Sequence, residues 1–172
     1  TQRFQTPLHP VLHVNARKEK IRSVKVNGVP ATWQSIESAH GYPLLSIQAE
    51  GTSSTTITIE WEGAPLHTLA VQEPVITSNG KLALQIPSGA SISQVYDPQS
   101  VLANHTVEAT AFNAQIKGEP GHHTFFVYTH QGEMDWWQPV NIYIENVWES
   151  PPIQTLQISV PKNAGWLILT GN

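Results

Sequence analysis

The chain contains no cysteine, which excludes disulfides and thiolate metal sites. Charge is also scarce. Only 13% of the 172 residues are Asp, Glu, Lys or Arg, roughly half the usual share of about 25%. Ser, Thr, Asn, Gln and His must therefore cover the surface. The net charge of −4 leaves no basic face for nucleic acid. The one basic cluster, ARKEKIR (16–22), is interrupted by Glu19 and reads as a solvated turn between strands. No run of about 18 apolar residues occurs, so no membrane span is expected. Amphipathic helices of three turns are missing as well. The best site for even a single helical turn is DPQSVLANH (97–105), where Asp97 stands as cap and Pro98 at the first helical position.

The chemical signatures of common enzymes are equally thin. There are two aspartates, Asp97 and Asp135. Glu60 and Glu62 lie two apart on one strand face, but on its polar side, where solvated carboxylates are the default. No nucleophile elbow, phosphate loop, dinucleotide fingerprint or EF-hand spacing is present, and PSGAS (87–91) reads as a turn. His122 and His130 share a strand face but stand about 26 Å apart at roughly 3.3 Å per residue, too far to share a metal. His9 and His13 are about 13 Å apart by the same measure. No catalytic residue, metal site or cofactor is therefore assigned. A structural calcium ion stays open, because loop carbonyls leave little trace in sequence. Asn104-His105-Thr106 matches a glycosylation sequon, a pattern common by chance.

What is abundant is alternation of period two. IRSVKVNG (21–28) alternates and ends in Asn27-Gly28, suited to a type I′ hairpin, with VPATWQSIE (29–37) as the return strand. PLLSIQAE (43–50) follows. In TTITIEWEG (55–63), Ile57, Ile59 and Trp61 face one side and Thr56, Thr58, Glu60 and Glu62 the other. Further strands are expected at 68–72, 81–86, 91–97, 105–118 (one long strand or a bent pair), 122–132, 136–146, 153–160 and 166–171. Thirteen prolines and several Gly-containing turns punctuate them. Eleven or so short strands separated by turns predict an all-β antiparallel sandwich, jelly-roll or Ig-like. It is organised either as two packed sub-domains, 1–65 and 66–172, or as one continuous sandwich. Oligomeric state is not legible.

Tryptophan is the other surplus: Trp33, Trp61, Trp136, Trp137, Trp148 and Trp166. Indoles fill sandwich cores, and when exposed they stack on the apolar faces of sugars. Trp136 and Trp137 are adjacent, so within a strand they point to opposite faces. Trp136 shares its face with Gln138, Val140, Ile142 and Ile144 and is expected inside. Trp137 shares its face with Pro139, Asn141 and Tyr143 and is expected outside. Candidate ligand-binding residues are Trp137, Tyr143, Trp148 and Asp135.

VKVNGVPATW (24–33), GYPLLSIQ (41–48) and TTITIEWEG (55–63) resemble the β-sandwich accessory modules of large bacterial glycoside hydrolases. SQVYDPQSVL (93–102) and GHHTFFVYTHQGEMDWWQPVNI (121–142) are similar to a β-rich region in proteins of polysaccharide-degrading bacteria. The resemblance implies a secreted, periplasmic or cell-surface setting and a place beside a catalytic domain of the same polypeptide. It carries over no catalytic residue. A first residue of Thr rather than Met fits a processed or excised chain. The expected function is a non-catalytic module that packs on or orients a catalytic domain. The alternatives are a module that binds a poly- or oligosaccharide through exposed aromatic rings, and a small glycoside hydrolase.

Overall fold

A computed structural model describes residues 9–49, 54–69 and 73–146. These residues form strands and turns and no helix. In chain order the strands are β1 (Val11–Asn15), β2 (Lys18–Val26), β3 (Val29–Pro30), β4 (Trp33–Ile36), β5 (Leu44–Gln48), β6 (Ile57–Pro65), β7 (Val75–Thr77), β8 (Lys81–Gln85), β9 (Ser91–Tyr96), β10 (Leu102–Glu108), β11 (Ala111–Ile116), β12 (Gly121–Gln131) and β13 (Met134–Glu145). The all-β expectation holds, with antiparallel pairing throughout except between β13 and β7. The strands expected at 153–160 and 166–171, with Trp148 and Trp166, lie outside the described residues. Of the strand expected at 68–72, Thr68 and Leu69 are in no strand and 70–72 lie outside the description.

The first six strands make two three-stranded sheets, ordered β1-β5-β4 and β3-β2-β6. Leu45 and Ile47 from one and Ile21 and Val24 from the other are buried between them, with Trp33, Ile57, Ile59 and Trp61 packed against this core. Strict alternation puts Ile21 and Val24 on opposite faces. A bulge between Ile21 and Ser23 adds one residue and brings both inward. Asn27 (φ 51°) and Gly28 (φ 82°) supply the two left-handed residues of the expected hairpin. The return strand differs from expectation, however. It pairs with β2 only at Val29 and Pro30, and the chain then crosses to the other sheet, where Trp33 pairs with Ile47.

The remaining strands form a sheet β10-β11-β8 and a sheet β7-β13-β12-β9, which enclose a second core around Phe112, Ile116, Phe125, Val127, Val140, Ile142 and Ile144. The segment 105–118 resolves as the bent pair, β10 and β11. The helical turn expected at 97–105 is absent. Asp97 Oδ2 instead accepts the Leu102 N–H at 2.8 Å, and Ser100 takes φ 55°, a left-handed step that no helix continues. Asp97 thus caps a turn that leads straight into β10.

The β12–β13 hairpin joins the two cores. Its tip reaches the first core, where Met134 and Trp136 are buried without solvent contact. Gly132 at the turn has φ 62°, and a Cβ there would meet the backbone of Glu19. Glu133 N–H donates to the Glu19 carbonyl at 2.7 Å, and the Glu133 carboxylate accepts the Ile21 N–H at 3.3 Å. Two buried amides hold the segment after β6. Gln131 accepts the His67 N–H at 2.9 Å and donates to the Pro65 carbonyl at 2.9 Å. Gln138 accepts the Leu69 N–H at 2.7 Å and donates to Thr129 Oγ1 at 2.9 Å.

Candidate functional site: an aromatic sheet face

Alternation along β12 and β13 sorts their side chains into an inner set, which fills the cores, and an outer set. The outer set of β12 is His122, Thr124, Phe126, Tyr128 and His130. That of β13 is Asp135, Trp137, Pro139, Asn141, Tyr143 and Glu145. Hairpin register pairs them directly: His130 with Asp135, Tyr128 with Trp137, Phe126 with Pro139, Thr124 with Asn141 and His122 with Tyr143. On the far side of β12, strand β9 adds Ser91 beside His130, Gln94 beside Tyr128 and Tyr96 beside Phe126. A shift in register between Tyr128 and Thr129 returns Gln94 and Tyr96 to the outer face.

Rings therefore gather on one face. Tyr128 and Trp137 lie 4.9 Å apart between centroids at 55°. Tyr96 meets Trp137 edge-on at 6.4 Å and stacks on Phe126 at 6.2 Å. His40 meets Phe126 edge-on at 5.5 Å. It comes from the turn between β4 and β5, which lies along β13. Trp137 N–H donates to the Ala39 carbonyl, and Gly41 N–H to the Trp137 carbonyl, both at 2.8 Å. Pro139 sits in β13 between this bridge and the partnership with β7 that begins at Tyr143, so its missing N–H breaks no ladder bond there. The rings are canted rather than coplanar, which makes a stepped apolar surface. Tyr96 is 57% exposed, and Phe126, Tyr128 and Trp137 are each half-buried.

Polar groups frame the rings. Asp135 Oδ1 lies 2.8 Å from His130 Nδ1. Thr124 Oγ1 donates to Asn141 Oδ1 at 2.8 Å, which leaves the Asn141 amide donors without a partner among the described residues. At the far end His122 and Tyr143 meet edge-on at 5.0 Å, with Glu73 at 2.6 Å from His122 Nδ1. Desolvation pushes the Tyr128 phenol above its ordinary value, with Asp135 and Glu37 adding to the shift, so it remains a neutral hydroxyl well into alkaline solution.

The placement of Trp136 inside and Trp137 outside agrees with the expectation from alternation. Trp137, Tyr143 and Asp135 share the outer face. Tyr143 stands with His122 toward the other end of the hairpin, away from the main ring cluster. Trp148 lies outside the described residues. Sequence reasoning missed Tyr96 and His40, which arrive from distant segments and carry no local signal. It also left Phe126 and Tyr128 unconnected to Trp137, although hairpin register counted back from the turn at Gly132 would have joined them.

Other candidates offer less. Glu60 accepts the Ser23 hydroxyl at 3.1 Å and Glu62 lies 3.9 Å from Lys20, both on an exposed strand face. Among the described residues no group of three or more His, Cys, Asp or Glu is placed to hold a metal ion, and no helix is long and apolar enough to cross a membrane. A groove of about 800 Å³ beside the β2–β3 turn is lined by Val11, Val26, Asn27, Val29 and Gln48 among others, and its lining among the described residues includes no carboxylate and no Phe, Tyr or Trp. Comparison with protein-family models, curated proteins and solved structures finds no match.

Proposed function

We propose that this chain is a non-catalytic β-sandwich module of a secreted or cell-surface glycan-processing protein, and that the outer face of β9, β12 and β13 holds carbohydrate. The observation that supports this most is the half-exposed cluster of Tyr96, Phe126, Tyr128 and Trp137 bordered by Asn141, Gln94 and Asp135. Pyranose rings present C–H faces that stack on aromatic rings and equatorial hydroxyls that need donors and acceptors at the margin. This face offers both within the span of a few sugar units. The long hairpin rooted in two cores gives the rings a rigid base, which lowers the ordering cost of binding. A hydrolytic role finds less support. Glycoside hydrolysis needs two carboxylates about 5–10 Å apart across a cleft, whereas Asp135 pairs with His130, Glu73 with His122, Asp97 serves a turn, and Glu60 and Glu62 lie on an exposed strand face.

The test is affinity electrophoresis through gels containing soluble plant and microbial polysaccharides, comparing the wild type with Trp137→Ala and Tyr96→Ala. Each truncation removes an aromatic contact of the kind worth roughly 0.5–1.5 kcal/mol beyond area burial, so retardation should fall several-fold or vanish. Equal retardation of all three proteins would reject the face. Lack of retardation by any glycan, together with co-purification of a catalytic domain that Trp137→Ala abolishes, would reassign the face to docking.

A further inference from the structure

Deepening that reading, we infer that the aromatic face selects uncharged polysaccharide and rejects polymers bearing carboxylate or sulfate groups. None of β7, β9, β12 and β13 contains a Lys or Arg. The described Lys and Arg residues lie instead between 17 and 25, on β8 at Lys81 and at Lys117. Carboxylates do reach the face. Asp135 and Glu145 mark the two ends of β13, Glu73 stands against His122, and Glu37 is near enough to Tyr128 to act on its phenol.

Among the described residues the imidazoles on this face are those of His40, His122 and His130, and the last two each face a carboxylate through Nδ1, at 2.6 and 2.8 Å. Four carboxylates against three imidazoles leave these described groups negative by one even with every imidazole protonated. A uronate or sulfate polymer laid along the rings would bring a like charge every sugar or two, within the screening length of about 8 Å at physiological salt. On these four strands it would find no guanidinium or ammonium to pair with. A neutral glycan meets no such repulsion, and its hydroxyls suit the Asn141 amide, Gln94 and the Tyr128 hydroxyl. Like-charge juxtaposition is a common means of rejecting wrong partners.

The experiment is a binding series with one readout across neutral polymers (xylan, mixed-linkage glucan, mannan) and acidic ones (polygalacturonate, alginate, a sulfated galactan). It is run at about 0.01 M and about 1 M salt, where the screening length falls from about 30 Å to about 3 Å. At least one neutral polymer should bind with affinity that barely changes with salt, and acidic polymers should bind at least roughly tenfold more weakly at low salt. Salt, or the double variant Asp135→Asn with Glu145→Gln, should narrow that gap. An acidic polymer bound at low salt as tightly as the best neutral one would overturn the charge rule while leaving the binding face intact. Binding of neither class would overturn the carbohydrate reading and the inference with it. Loss of binding in Trp137→Ala ties either result to this face.

Discussion

Two neighbouring tryptophans carry opposite duties because a strand alternates its faces. Trp136 has no exposed surface and plugs the first core from the hairpin, so Trp136→Ala should cost about 3–5 kcal/mol in urea unfolding. Its indole N–H has no partner among the described residues, so Trp136→Phe removes an unsatisfied donor together with some volume and should cost distinctly less than Ala. Trp137→Ala should leave the unfolding midpoint close to wild type and act on ligand binding. This division was legible in sequence, because Val140, Ile142 and Ile144 follow Trp136 at even spacing. The neighbours of Trp137 across the sheet were not. Tyr96 lies some forty residues upstream and meets Trp137 only because β9 pairs with the far edge of β12.

At the level of elements, the β12–β13 hairpin is the organising piece, and the glutamines on its inner face are its attachment points. Gln138 spans from Thr129 to the backbone of Leu69, and Gln131 ties Pro65 and His67. Gln138→Leu should strand the Leu69 N–H and lower stability by about 1–3 kcal/mol, read as a reduced urea midpoint with unchanged m-value. Strand existence was largely readable from period-two patterns, and the Asn27-Gly28 turn from its chemistry. Partner choice was not. The return strand after Asn27-Gly28 leaves β2 after two residues, since Trp33 and Ile36 have an apolar partner in β5. The turn at 97–100 carries good helix-start residues, yet Asp97 bonds the Leu102 N–H and launches a strand. Local propensity yields there to the core position of Val101 and Leu102.

Across the whole molecule, the hairpin tip meets the first half of the chain at Glu19. Its carboxylate accepts the Ala64 N–H at 2.9 Å and the Gln131 amide at 3.2 Å, and these bonds, with the nearby His67, hold its pKa below the ordinary 4.5. A lowered folded pKa means this contribution is present above pH 4.5 and fades as pH falls from there through the folded value. Thermal melts of wild type and Glu19→Gln should therefore differ at neutral pH and converge in that acid window. An unchanged gap below it would deny the carboxylate its role. The same global view, strands without Lys or Arg beside carboxylates, supports the preference for neutral glycan, which no single residue reveals. The most direct measurement of the central claim is a proton–nitrogen spectrum of the indole N–H signals, assigned by single Trp→Phe variants, during titration with a neutral oligosaccharide that the chain retains in gels. The account predicts that the Trp137 signal moves saturably while the Trp136 signal stays fixed. Saturable binding that leaves Trp137 unmoved would contradict it.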